Sequence, residues 1–194
     1  MTSLDSIDVN NQFTELPPTK LDYYRSVQLA ANVMYVNNVP FLTSISNHMH
    51  CGTPNAVDNM KAQVLEVRLM NIIKSYAIRG FSVGEIFPCI QFKCVKYMNN
   101  LLVITRTFYR GEHVNHIEHY HRVIEERELC YYEMLPFNSL PRMMMVHLMI
   151  TVLFHINAFV WMNGFSKVLS PFAIVEGTVL DYNFYFRVMF GEFV

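Results

Sequence analysis

The chain has 194 residues, of which 52% are apolar and 16% charged, against about 25% charged in an average domain. A disordered chain and a long polar linker are therefore excluded. Lys and Arg number 15 and Asp and Glu 16, a net charge of −1, so no global basic field draws the chain to nucleic acid and any such partner needs a local patch.

The length suits one domain, able to bury roughly 70% of its unfolded surface without staples. The four cysteines, Cys51, Cys89, Cys94 and Cys130, form no CxxC pair, which argues against a disulfide framework or a four-cysteine zinc site. Residues 1–18 are polar and carry no apolar leader. An intracellular chain, in nucleus or cytoplasm, is the expectation.

In chain order, residues 1–20 read as a flexible arm ending at Pro17-Pro18. Val27–Val36 is an apolar strand, and Asn37-Asn38 makes a two-residue hairpin turn, because Asn tolerates positive φ. In the return strand Val39, Phe41, Thr43 and Ile45 share one face. His48–Thr53 is a third strand candidate, stopped by Pro54. Residues 56–78 switch to helical spacing, with Leu65, Leu69, Ile72, Ile73 and Tyr76 in one stripe and Gly80 suited to the C-terminus.

Phe81–Phe87 and Leu101–Thr107 are further strands, and a helix is expected over 114–134, before Pro136. Residues 143–161 carry no formal charge over 19 positions, close to the ~20 that span a bilayer. Two readings stand for them: a single membrane span, opposed by His147, His155 and Asn157, or a buried helix opened by Pro141. Ser170-Pro171 starts a short helix closed by Gly177, and 181–194 is aromatic and strand-like. Three consecutive strands followed by alternating elements predict an α/β fold with a mixed sheet covered by helices on both faces, the pattern of a ribonuclease H-like fold.

The densest polar cluster lies in 111–128, with His113, His116, His119 and His121 around Glu118. It reads either as a metal site or as an exposed polar helix face; the spacing does not match HExxH. His48-x-His50-Cys51 carries half of a zinc pattern and lacks the downstream CxxC. Cys89 and Cys94 are thiols that His113 or His116 would have to activate, or else packed side chains. No phosphate-cradling glycine loop, nucleophile elbow or dinucleotide fingerprint is present.

Several stretches together resemble the integrase region of copia-type retrotransposon polyproteins, in a divergent branch. They are LAANVMYVNNVPFLTSIS at 29–46, YAIRGFSVGEIFPCIQFKC at 76–94, GEHVNHIEHYHRVIEER at 111–127, LPFNSLPRMMMVHLMITVLFHINAF at 135–159, LSPFAIVEG at 169–177 and DYNFYFRVMFGEFV at 181–194. The resemblance covers the chain from about residue 15 onward and rests on the order and spacing of these stretches. It implies a ribonuclease H-like core over 21–180 with a mixed five-stranded sheet, antiparallel at first and then parallel, followed at 181–194 by the start of a truncated strand segment. It also implies that 143–161 is an internal helix.

Such integrases hold two divalent ions, Mg²⁺ in the family, on two Asp and one Glu for phosphoryl transfer. The resemblance places the first Asp at Asn32, the second at Cys89 and the Glu at Glu118. Only Glu118 is retained, so the metal site is vestigial and no bound cofactor is expected. Asn32 has lost the charge, and Cys89 offers a soft thiol where a hard oxygen is needed. Glu85 is the nearest spare carboxylate, expected to face solvent.

The expectation is thus a degenerate integrase core, inactive in DNA integration, retaining contact with DNA or a protein partner. Lys93, Lys96, Arg106 and Arg110, between the second and third metal positions, and Arg122 and Arg127, just after the third, are read as a DNA-facing surface or as solvated charge. A homodimer is implied by resemblance. The alternatives are an active nuclease or integrase with a rearranged metal site, and a single-span membrane protein.

Overall fold

A computed structural model describes residues 16, 18–88, 104–105, 115–162, 164–187 and 190. Cys89, Cys94, Lys93, Lys96, Arg106, Arg110 and His113 lie outside the described residues. After helix α1 (Pro18–Tyr23), strands β1 (Ser26–Val36), β2 (Val39–Ser46) and β3 (Gly52–Ala56) form an antiparallel meander. Helix α2 (Ala62–Ile78) then crosses over to β4 (Ser82–Pro88), which lies parallel to β1.

The sheet order is β3-β2-β1-β4-β5, where β5 is the two-residue Ile104–Thr105, parallel to β4. The mixed sheet therefore has four strands of five to eleven residues, and its fifth position is held by two residues. Helices α3 (Asn115–Glu133), α4 (Arg142–Ala158), α5 (Pro171–Glu176) and α6 (Tyr182–Tyr185) complete the chain.

Asn37 and Asn38 have φ of 46° and 63°, the double left-handed turn that joins right-twisted strands in two residues. β1 is central and buried on both faces. Its odd residues Leu29, Ala31 and Val33 pack with α2 residues Leu65, Leu69 and Ile72, and with Ile174 of α5. Its even residues Ala30 and Met34 pack with Phe41 and Ile45 of β2 beneath α3 and α4. The face expected from Val39, Phe41, Thr43 and Ile45 is the one these two helices cover. α2 ends at Gly80, φ 82°. α5 is capped by Ser170, whose hydroxyl accepts from the Ala173 N–H at 3.2 Å, and is closed by Gly177 at φ 81°.

Two expectations are corrected. Pro54 does not stop the third strand: it pairs with Thr43 inside β3, because β3 is an edge strand, where a missing N–H can face away from the ladder. The aromatic segment after Asp181 begins as a helix, not a strand. The Asp181 carboxylate accepts from the Asn183 N–H at 3.0 Å, and Phe186 packs on the α4 side chains Phe154 and His155. A local cap and a helix-borne aromatic cluster outweigh β propensity there.

The apolar run 143–161 falls mostly within the 17-residue α4, Arg142–Ala158, with residues 159–161 past its end. Met145, Leu148, Met149, Val152 and Leu153 are buried, and Asn157 is satisfied by the backbone of Gly52. His155 bonds Tyr131, and His147 faces solvent. No helix among the described residues is long and apolar enough to cross a membrane.

Candidate functional site

Asn32 and Thr43 stand directly opposite each other at the centre of the β1–β2 ladder. Both belong to the face of the sheet covered by α3 and α4, since they alternate with the residues packed against α2. Thr43 is fully buried. Its hydroxyl donates to the Asn32 carbonyl at 3.1 Å and lies 2.6 Å from Nε2 of His121 on α3. A hydroxyl has one proton; with that proton on the Asn32 carbonyl, Nε2 of His121 carries the hydrogen and donates to Thr43. The Asn32 side chain turns back on its own strand, accepting from the Val33 N–H at 2.8 Å.

Glu118 lies one turn before His121 and is exposed. Burial pushes the His121 imidazole down to about 4, against the opposing pull of the Glu118 charge. His121 is therefore neutral at physiological pH. The centre of β1 and this turn of α3 meet through Thr43 and His121, a contact the sequence reading did not pick out. Its only signal in the sequence is the three-residue spacing of Glu118 and His121.

The histidine cluster is not a uniformly exposed face. His119 is exposed, while His116 and His121 turn inward. The His116 ring meets His50 edge-on, with centroids 5.4 Å apart, and His50 stacks on Trp161 at 5.0 Å and 15°. Burial first, then neighbouring imidazoles, hold both His50 and His116 below the ordinary histidine range. The Cys51 thiol is pushed up to about 12 by burial, so it is an inert packed thiol and not a metal ligand at neutral pH.

The described residues at this place do not by themselves fit a pair of Mg²⁺ ions. Asn32 is a neutral amide whose oxygen is already engaged, His121 is a neutral nitrogen donor, and Glu118 supplies a single negative charge. Hard dications need several anionic oxygens. Among the described residues no three His, Cys, Asp or Glu side chains are grouped to hold a metal ion. Glu85 accepts from Gln28 Nε2 at 3.0 Å and is half-buried on β4, not simply solvent-facing.

Arg122 and Arg127 are both exposed on α3. Five residues apart, they point about 140° away from each other around the helix axis. They do not form one patch with each other.

No protein-family model and no curated protein matches this chain. Solved structures do. The catalytic core domain of BIV integrase superposes with a TM-score of 0.56 at 13% identity, covering 77% of this chain and 93% of its own. The HTLV-2 integrase catalytic core domain, in a complex with magnesium described as a trimeric form, gives a TM-score of 0.54 at 11% identity, covering 76% and 95%. The chain has the mixed α/β fold of retroviral integrase catalytic cores, the ribonuclease H-like architecture.

Proposed function

We propose that this chain is an integrase-core-like domain, akin to the integrase region of copia-type retrotransposon polyproteins, that has lost two-metal phosphoryl transfer. The single observation that supports this most is Asn32. It occupies the centre of β1 under α3, yet its amide oxygen is spent on the Val33 N–H and its neighbours Thr43 and His121 bond to each other. Two ions would bring a charge of +4, and Asn32 with Glu118 offers −1. What remains is a scaffold for an intracellular partner, DNA or protein. The basic residues Lys93, Lys96, Arg106 and Arg110, with Arg122 or Arg127 on one side or the other of α3, are the candidates for DNA contact, and self-pairing is a further proposal by resemblance.

Calorimetric titration with Mn²⁺ and Mg²⁺ tests the reading on the unaltered chain and on the double variant Asn32→Asp/Cys89→Asp. The unaltered chain is expected to show neither two-ion binding nor strand transfer, and the double variant to gain measurable Mn²⁺ affinity. Tight two-ion binding by the unaltered chain overturns the proposal. No gain in the double variant means that the ligand positions are misassigned.

A further inference from the structure

A cavity of about 800 Å³ opens between the C-terminal half of α3, the end of α4 and Phe186. Neither Thr43 nor His121 lines it: α3 contributes Val123, Arg127, Cys130 and Tyr131, of which Arg127 and Tyr131 lie seven residues after Tyr120 and Ile124, on the same stripe nearer the helix C-terminus. Its size falls within the range of pockets for small organic ligands. Phe186 forms one wall, with its ring 4.7 Å from His155 and 5.3 Å from Phe159. The mouth carries an apolar rim, with Met134 61%, Phe159 55% and Met162 93% exposed. Apolar side chains left this open beside a cavity mark a binding surface.

The polar groups decide what kind of ligand fits. Arg127 is the one formal charge in the lining, which contains no Asp or Glu. The positions one turn away from it on α3 are Val123, Ile124, Cys130 and Tyr131, and the flanking Glu126 and Glu128 are not among the residues that line the cavity. His155 is engaged by the Tyr131 hydroxyl through Nδ1. An apolar chamber whose one charged lining group is a guanidinium at its edge is complementary to a flat apolar body ending in a single anionic group, which the planar fork of Arg can take in bidentate fashion.

We propose that this cavity binds an amphipathic organic monoanion, an aromatic body carrying one carboxylate or sulfonate that Arg127 receives. The site is independent of the lost metal centre and stands or falls separately from the proposed function.

Trp161 is the chain's single tryptophan and lines the cavity, so the chain carries its own reporter. The probes are anilinonaphthalene sulfonate and its neutral counterpart phenylnaphthylamine. The sulfonate is expected to bind with one dye per chain and to accept energy on selective excitation of Trp161. The neutral dye should bind about fivefold more weakly. Arg127→Gln, a change at an exposed position, should weaken the sulfonate by the same factor and leave the neutral dye unchanged. Trp161→Phe should abolish the energy transfer, and dye fluorescence that remains on direct excitation then reports the binding itself. Equal affinity of the two dyes, indifference of the sulfonate to Arg127→Gln, or several dyes per chain would each overturn the proposal. Exclusion of dye by self-association as protein concentration rises would assign the cavity to a second copy and overturn it too.

Discussion

Asn157, near the end of α4, exchanges two hydrogen bonds with Gly52 at the start of β3. Its Oδ1 accepts from the Gly52 N–H at 2.9 Å, and its Nδ2 donates to the Gly52 carbonyl at 2.6 Å. One side-chain amide thus does for β3 what a neighbouring strand's peptide would do, and it ties the edge of the sheet to the helical layer above it.

Asn157→Ala leaves a buried N–H and a buried carbonyl unpaired. It should destabilise by about 2–4 kcal/mol. Chemical denaturation at pH 7 measures it, and a loss below about 1 kcal/mol would mean that water replaces the amide.

Tyr120 lies directly over Gly52. A methyl group at Gly52 would meet the Tyr120 ring and hydroxyl at 1.6–2.7 Å, so Gly52→Ala is expected to destabilise by more than 3 kcal/mol. Gly52→Ala/Tyr120→Ala should recover part of that loss. The Tyr120 hydroxyl is buried with no partner among the described residues. Tyr120→Phe removes this unsatisfied group and should raise stability by about 1 kcal/mol. Thermal unfolding of the three variants tests the packing directly.

His121, His50, His116 and His155 are all held below the ordinary histidine range, with burial the leading cause in each. The unfolded chain therefore binds more protons than the native one as the pH drops below 6.5. Stability should fall from pH 6.5 toward about 4, where His121 finally charges. His121→Gln should flatten this slope by up to one proton. Urea midpoints across that range decide the matter, and an unchanged slope would show that His121 is hydrated in solution.

Ser170 supplies the N-cap of α5, which packs Ile174 into the α2 side of the core. Ser170→Ala should cost about 1 kcal/mol, and Ser170→Asp should retain most of the cap. Equal melting temperatures for wild type and Ser170→Ala would contradict this.

Elements with local signals were legible in the sequence. Asn37-Asn38 dictates its turn, the three- and four-residue spacing of Leu65, Leu69, Ile72 and Tyr76 dictates the buried side of α2, and Ser170-Pro171 with Gly177 brackets α5. Asn32 was singled out through the resemblance, and the structure puts it at the centre of β1. What the sequence did not carry was rotation. His121 turns inward because Tyr120 is seated against Gly52, a contact between α3 and β3. No window of local periodicity encodes it. The same holds for the residues after Asp181, where burial against Phe154 overrode a strand-like composition.

Asn157 and Pro54 together have a consequence for how this molecule behaves in a crowd of its own copies. The Gly52 N–H points away from β2 toward Asn157, so in an alternating strand Pro54 also presents its nitrogen outward. Of the three outward positions on β3, one donor is occupied by a side chain and one does not exist; Ala56 alone remains. An incoming extended chain would find no continuous row of donors to pair with, and the sheet cannot be lengthened from this side. The proline that looks like an interruption in the sequence thus guards the edge against strand-to-strand aggregation.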